Sequence, residues 1–316
     1  MEQDINTLHL MHIPITKLEA LINEPEYHNY KIPKKRGGWR EIAAPGSLLK
    51  RIQQGINRHL QDRYSQIKPD EVYGFVRMRQ SNIVANARPH IDKKFLLNID
   101  LKDFFPCITA KRVKEMFLSE PFFYSEQLSI ALTLLTTFQG RLPTGAPSSP
   151  IISNLVCLAF DKEMAAYCTN HQLVYTRYAD DLSFSSDNPI SRDIILDIIG
   201  LIKKHHFRIN KKKFRLLSAQ SQQMVTGIVV NKKTNVDRKL LKRIRAMLHD
   251  WRVNGLKQAS LHHFRHESGE DGSPPRQFFY WLKGYINFVG QVRGTKDPLY
   301  RRMESDFRMN QLNHLM

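Results

Sequence analysis

Two neighbouring carboxylates, Asp180 and Asp181, end the run Tyr178-Ala179-Asp180-Asp181, with strand-like stretches on both sides. Leu173, Val174, Tyr175, Thr176 and Arg177 precede the run, and Leu182, Ser183, Phe184 and Ser185 follow it. Aromatic, β-branched and aliphatic residues about a polar centre predict a hairpin with the carboxylates at its turn. Adjacent carboxylates repel each other, so a chain that keeps them close calls for a cation. Taken alone, the pair fits ordinary turn chemistry equally well, since Asp is common in turns. A third carboxylate changes the balance. Phe95, Leu96, Leu97, Asn98 and Ile99 form a largely apolar run of strand length that ends on Asp100, and Pro106 closes the segment. Asp100 at the end of one buried strand can meet the Asp180/Asp181 turn in the same sheet. Three converging carboxylates would hold two Mg2+ ions, hard cations that prefer oxygen ligands and substrate phosphates. Two such ions stabilise the attacking and leaving oxygens of an in-line phosphoryl displacement. The chemistry is nucleotidyl transfer.

The elements that must position these residues follow from periodicity and punctuation. A short helix is expected over 16–23, and residues 34–42 read as a basic hairpin turning at Gly37-Gly38. Leu49, Ile52, Ile56, Leu60 and Tyr64 recur near a 3.6-residue period, with Ser47 as the expected N-cap. Asn86 and His90, four apart, would share one face of a helix. Thr109 caps a helix carrying Val113, Met116 and Phe117, and 125–138 is a second, mostly apolar helix. Residues 143–150 form a loop that opens a helix, with Pro150 in its first turn. Small residues at Gly145, Ala146 and Ser148 would let a nucleotide or base pair approach the backbone. A helix over 191–206 turns Ile194, Ile195, Ile198, Ile199 and Ile202 inward, and 224–231 reads as a strand of a hairpin.

Composition narrows the partners. The chain has 316 residues, long enough for two or three lobes, and carries 48 Lys and Arg against 30 Asp and Glu, a net +18. Such an excess calls for a polyanion, with nucleic acid as the default. No apolar run approaches the roughly 20 residues that cross a bilayer. The opening Met-Glu-Gln-Asp has no charged-then-apolar leader, so secretion is not expected. Three cysteines, odd in number and without metal-ligand spacing, read as free thiols. Residues 232–316 hold 17 Lys and Arg against 8 Asp and Glu, half of the whole excess. Within them 238–251 is amphipathic, with Leu241, Ile244, Leu248 and Trp251 on one side and Lys239, Lys242, Arg243 and Arg245 on much of the other. A polar stretch, 266–275, separates it from an aromatic-rich helix over 278–292.

The Tyr178-Ala179-Asp180-Asp181 box, the Asp100 segment with Phe104-Phe105, and Leu142-Pro143-Thr144-Gly145-Ala146-Pro147-Ser148-Ser149-Pro150 resemble the three palm motifs of reverse transcriptases, in order and in spacing. Asn86-Ala87-Arg88-Pro89-His90 resembles the Asn-Ala-x-x-His signature of the bacterial retron reverse transcriptases, and Val225-Thr226-Gly227 resembles their Val-Thr-Gly triplet. The resemblance covers about residues 30–290.

That resemblance implies an α+β right-hand polymerase with fingers and an antiparallel-sheet palm, plus a helical thumb. Fingers and palm would interleave over 1–231, and the thumb would occupy 232–316. Asp100, Asp180 and Asp181 would hold two Mg2+ ions for RNA-templated synthesis of DNA from deoxynucleoside triphosphates. By the same resemblance Arg40 and Lys35 meet the triphosphate, Phe105 packs against the incoming sugar and excludes a 2′-hydroxyl, and Thr144 and Gly145 line the nucleotide. Thr144 stands where most of the family has Gln, so its contact with the sugar is shorter, water-mediated or absent. One lysine of Lys211, Lys212 and Lys213 would protonate the leaving pyrophosphate. Asn86, His90, Val225, Thr226 and Gly227 would recognise RNA, while Lys239, Lys242, Arg243 and Arg245 track a duplex backbone. Each has a plain structural alternative: a solvated basic turn for Arg40, core packing for Phe105, a satisfied buried histidine for His90, a solvated face for the basic helix.

Retron resemblance further implies a cognate structured noncoding RNA (msr-msd) encoded beside the enzyme and priming from a guanosine 2′-hydroxyl. The product would be a branched RNA–DNA molecule (msDNA), made in the bacterial cytoplasm without a membrane partner, with an accessory effector or toxin protein in antiphage defence. Two other readings compete. One is a group II intron or diversity-generating reverse transcriptase, against which the two retron signatures and the missing maturase-like extension argue. The other is an RNA-binding scaffold with a vestigial site, against which the intact Asp100, Asp180 and Asp181 argue.

Overall fold

The strand that ends on Asp100 and the two strands about the Asp180/Asp181 turn lie side by side in one antiparallel sheet. The structure, a computed structural model, describes residues 15–34, 37–264 and 274–315. Its contacts divide the chain into two compact units, Met1–Asn82 with Phe95–Leu216, and Ile83–Lys94 with Leu217–Met316. The compact division therefore runs through 216/217 and takes the 83–94 stretch with it, whereas 231/232 marks a change of composition.

In the first unit, α1 (Ile15–Asn23) leads into β1 (Tyr27–Pro33) and β2 (Trp39–Pro45), an antiparallel hairpin in which Tyr27 faces Pro45 and Pro33 faces Trp39. Its turn is at Gly37-Gly38 as expected, and its strands reach back beyond Lys34. The helix α2 (Ser47–Ile67) buries Leu49, Ile52, Ile56, Leu60 and Tyr64, the periodic set. Its N-cap is Gly46 and not Ser47, and no side chain caps it. Backbone bonds serve instead, with Lys50 N–H donating to the Gly46 carbonyl at 2.8 Å and Gly46 N–H to the Glu26 carbonyl at 2.9 Å.

The sheet follows: β3 (Phe95–Asp100), then β4 (Val174–Tyr178) and β5 (Asp181–Ser186), in the order β4-β5-β3-β6, where β6 (Arg215–Ser218) begins as the chain leaves the unit. Between β3 and β4 come α3 (Ala110–Leu118), α4 (Glu126–Thr136), α5 (Ser149–Val156) and α6 (Leu158–Asn170), and α7 (Arg192–Lys204) lies between β5 and β6. Thr109, Ser125 and Ser191 cap α3, α4 and α7 through their hydroxyls, accepting from Arg112, Leu128 and Ile194 N–H. Leu97, Ile99, Leu182 and Phe184 of the sheet are buried in one cluster with Ile56, Phe117, Ile151, Phe160, Ile198 and Ile202 of the helices. Each such side chain contributes roughly 1.5–3 kcal/mol by burial. This core holds the ends of β3 and β5 at fixed height, which is what positions the carboxylates.

In the second unit a helical turn at Ile83–Ala87 continues as a 3-10 turn at Arg88–His90. The stretch expected as one strand over 224–231 is instead a tight hairpin, β7 (Met224–Val225) against β8 (Ile228–Val229). Thr226 and Gly227 form its turn with φ of 47° and 84°. Three helices follow: α8 (Arg238–Phe264), interrupted at Gly255 (φ 77°), then α9 (Pro274–Arg293) and α10 (Pro298–Leu315). Leu241, Ile244, Leu248 and Trp251 are buried, and the Trp251 ring meets Phe278 of α9 and Phe307 of α10 with centroids 6.2 and 5.3 Å away. Of the expected polar loop, 266–273 lies outside the described residues, and Pro274-Pro275 already belong to α9. Among the described residues no helix is long and apolar enough to cross a membrane, and Cys107, Cys157 and Cys168 are free.

Candidate active site

Antiparallel register brings the three carboxylates together. Asp100 is the last residue of β3 and Asp181 the first of β5, and the two are paired across the ladder. The Asp180 carbonyl accepts from Leu101 N–H at 2.8 Å, which ties the turn to the end of β3. Asp100 is buried, 5 % exposed. Its Oδ2 accepts from Asn210 Nδ2 at 3.0 Å, and its Oδ1 accepts from Lys213 Nζ. Asn210 N–H also donates to the Asp100 carbonyl at 2.8 Å, so the segment before β6 is laced to β3 beside the site.

The electrostatics are those of crowded negative charge. The Asp181 carboxyl is pushed up to about 6, first by desolvation, then by the charges of Asp180 and Asp100. Asp180 is also raised by desolvation and by Asp100, against a backbone hydrogen bond, Lys213 and Arg40, which favour its ionised form. Desolvation pulls the Lys213 ammonium down, but the bond to Asp100 and the three carboxylate charges outweigh it and leave its pKa raised.

A cluster of oxygen donors short of positive charge suits a hard divalent cation, so Asp100, Asp180 and Asp181 fit the expected metal in kind. Among the described residues no group of three or more His, Cys, Asp or Glu stands ready-made as a metal cage. At Asp100 the Lys213 ammonium engages one carboxylate oxygen while Asn210 engages the other.

The residues expected at the nucleotide are distributed about this centre. Arg40 is exposed on β2 and its charge is felt by Asp180. Lys35 lies outside the described residues. Phe105 is half-buried, packed beside Phe104 at 5.5 Å and Phe75 at 5.7 Å between ring centroids. The Thr144 carbonyl accepts from Ala43 N–H of β2 at 2.8 Å, joining the palm loop to the hairpin. At Gly145 a β-carbon would lie 2.8 Å from Ile42 Cγ2 and 3.0 Å from the Ala43 carbonyl oxygen, so β2 approaches the backbone closely there.

A four-stranded sheet whose antiparallel strands β3, β4 and β5 carry this carboxylate register invites comparison with known polymerases. A family model described as reverse transcriptase (RNA-dependent DNA polymerase) matches residues 32–236. Retron Ec86 reverse transcriptase of Escherichia coli is 36% identical over 261 residues, which cover 78% of this chain and 78% of that protein. The chain belongs to the bacterial retron reverse transcriptases. Retron Mx65 reverse transcriptase of Myxococcus xanthus is 31% identical over 71% of this chain and 55% of that protein, so the present chain spans about half of that relative. Telomerase from Candida albicans, solved with a TWJ fragment of telomeric RNA, is 12% identical with a TM-score of 0.50, covering 93% of this chain and 64% of that one. At that identity the likeness shows the right-hand polymerase fold alone. This reverse transcriptase is an RNA-directed DNA polymerase.

The two retron signatures of this reverse transcriptase meet in the second unit. Asn86 Nδ2 donates to Thr226 Oγ1 at 3.3 Å, and Thr226 Oγ1 donates to the Ile83 carbonyl at 3.1 Å. Asn86, His90 and Val225 are buried, with exposures of 1, 0 and 0 %. Burial, then the charge of Lys93, holds the His90 imidazole down to about 3, so it is neutral at pH 7. These three side chains are buried in the second unit. Thr226 is half-buried, and Gly227 and Arg88 are exposed. Sequence alone showed the signatures only as two short strings about 140 residues apart.

The basic set on α8 divides in two. Lys239, Lys242, Arg243 and Arg245 are all exposed. Arg243, however, leans over the Trp281 ring of α9 at 4.4 Å, while Arg245 lines a cavity with His249, Arg252 and Arg302 beside α10. The two arginines flank opposite sides of the buried stripe. Sequence reasoning also missed Asn210 and did not choose among the three lysines. The Asn210-Lys211-Lys212-Lys213 string carries polar and basic residues only, and which of them reaches Asp100 depends on the turn that follows β3 in space.

Proposed function

We propose that this reverse transcriptase copies a cognate structured noncoding RNA (msr-msd), starting from a guanosine 2′-hydroxyl in that RNA, into a branched RNA–DNA molecule (msDNA). The observation that carries this reading is the bond between Asn86 and Thr226, which joins the two retron signatures into one support for an exposed turn. Double-stranded RNA is read chiefly by shape and by sugar and phosphate contacts, so a braced turn with Gly227 exposed, and Arg88 exposed in the same unit, suits one stem-loop. On this reading Asp100, Asp180 and Asp181 hold two Mg2+ ions, which when bound neutralise the triphosphate and activate the priming hydroxyl. Arg40 meets the incoming deoxynucleoside triphosphate, Phe105 stands against its sugar, and Lys213 carries the proton towards the leaving pyrophosphate. The enzyme works in the bacterial cytoplasm with an accessory effector protein in antiphage defence.

Sequencing the nucleic acid that copurifies with the protein tests the reading. DNA joined through a 2′,5′ linkage to an internal guanosine of one structured RNA is expected. Unbranched copies of unrelated RNAs would sink it. Thr226→Val should impair synthesis on the copurified RNA and spare extension of a generic annealed primer. Equal loss on both would make the joined signatures purely structural.

A further inference from the structure

We infer that Arg177 is a positioning residue for the aspartate turn: its guanidinium holds the Ala179 carbonyl and so sets the direction of Asp180 and Asp181. The inference rests on the assignment of those aspartates to the metal. Arg177 is fully buried. Its Nε and Nη2 donate to the two oxygens of Asp161 at 2.7 and 2.6 Å, a bidentate fork. The Tyr175 hydroxyl also donates to Asp161, at 3.0 Å, which fixes the carboxylate. Nη1 is thereby aimed at two further acceptors, the Ala179 carbonyl and Asn154 Oδ1, each at 3.1 Å.

Ala179 needs such a grip. Its φ is 59°, in the left-handed region that a β-carbon disfavours, and it stands immediately before Asp180. The turn is held from a second direction as well. Asn154 Nδ2 donates to the Gly74 carbonyl at 2.9 Å, and a β-carbon on Gly74 would lie only 2.4 Å from Ala179 N. The segment leading to Gly74 is itself tied to β4, with Tyr73 N–H donating to the Arg177 carbonyl at 2.9 Å and Arg177 N–H to the Glu71 carbonyl at 2.8 Å. Gly74 thus backs the turn, Arg177 holds it by its carbonyl, and Asn154 links the two.

A buried ion pair is a poor source of stability, because desolvating both ions offsets their attraction. What the pair offers is direction. A planar guanidinium locked on Asp161 presents Nη1 at one angle, which a flexible lysine ammonium cannot do. Carboxylates that bind metal must be held within about 0.5 Å of the productive geometry.

The test uses the full chain and three variants: Asn154→Ala, Gly74→Ala, and the paired Arg177→Met with Asp161→Leu, which removes both buried charges together. Thermal melting and RNA affinity report folding, and Mn2+ affinity by electron paramagnetic resonance reports the carboxylates independently of turnover. Positioning predicts folded proteins with parental RNA affinity, Mn2+ binding and kcat each lowered by about 10–100-fold. KM for the nucleotide should change by less than about twofold, because ground-state nucleotide contacts are untouched. Asp181→Asn runs in parallel. If it retains extension, the metal assignment itself fails. If it is inactive while the folded variants keep parental Mn2+ affinity and kcat, the network is packing and the inference is overturned. Should the paired variant not fold, Asn154→Ala and Gly74→Ala, which leave the ion pair whole, decide the outcome.

Discussion

Lys213 donates to the Asp100 carboxylate from a position 113 residues later in the chain. The contact singles it out from Lys211 and Lys212, which share its exposure and its charge. If Lys213 delivers a proton in the transfer step, Lys213→Met should lower single-turnover extension by about 100-fold or more. Lys211→Met and Lys212→Met should leave the rate close to parental. Equal losses from all three would show a diffuse electrostatic effect.

Asp180→Asn with Asp181→Asn should abolish DNA synthesis while leaving RNA affinity nearly intact. The carboxylates crowd one another at the sheet end, as the raised Asp181 carboxyl shows, and an anionic cluster has no reason to grip a phosphate backbone. Primer extension and filter binding on the same preparation check both halves. Residual Mg2+-dependent extension by the double variant counts against the metal assignment.

Phe105→Ala should admit ribonucleotides, shifting the ribo- to deoxynucleotide ratio of kcat/KM by at least about tenfold. Phe75 stacks on Phe105, and its own carbonyl is held by Gln61 Nε2 at 2.8 Å. Phe75→Ala should therefore move the ratio in the same direction by a smaller factor. Steady-state incorporation of paired nucleotides measures it, and an unchanged ratio in both variants would leave these rings to core packing.

On α8 the two flanks should separate in a salt series. Replacing Lys239, Lys242 and Arg243 by Gln should weaken duplex binding across sequences and flatten the log K against log salt slope by roughly 0.7–0.9 per lost contact. Arg245 points to the other flank, into a cavity beside α10. Arg245→Gln alone should leave the slope unchanged. A parental slope in the triple variant would make that face merely solvated.

Asp297 makes a prediction about stability and pH. Its carboxylate accepts from Arg293 Nε and Nη2 at 2.8 and 3.0 Å and from Lys233 Nζ at 3.2 Å, and hydrogen bonding from Arg293 first, with Lys233 and Tyr300 N–H, holds it down to about 2. A carboxyl depressed in the folded chain stabilises fully above its ordinary 3.8 and loses that contribution as pH falls through about 2. Asp297→Ala should cost about 2–3 kcal/mol at neutral pH. In urea melts the gap between parent and variant should hold from neutral pH to about 4.5 and narrow below about 4. A gap that is constant with pH would mean the loss is packing and not charge.

Much of the architecture was legible because periodicity is a local property. The buried set of α2, the hydroxyl cap of α3, and the Gly37-Gly38 turn all follow from residue types at fixed spacing. Two local expectations failed for reasons outside the local sequence. Ser47 is not the cap because backbone bonds with Glu26, just before β1, and with Lys50 of α2 already serve Gly46. Residues 224–231 are not one strand because Thr226 and Gly227 turn left-handed, and Thr226 is held there by Asn86 and Ile83.

The sequence by itself determined which chemistry to expect. Carboxylates repel, so two at a turn and one at the end of an apolar strand call for a cation if the fold brings them together. Tertiary structure alone decided which groups surround them. Asp100 and Asp181 become partners only through strand register. Lys213 is chosen over its neighbours by the segment laced to β3. His90 is placed in the interior by packing, and Arg177 faces Ala179 because Asp161 fixes its fork. Hydrogen bonds and burial depend on distances in space, and residues far apart in the chain carry no local mark of which partner the packed core will bring to them.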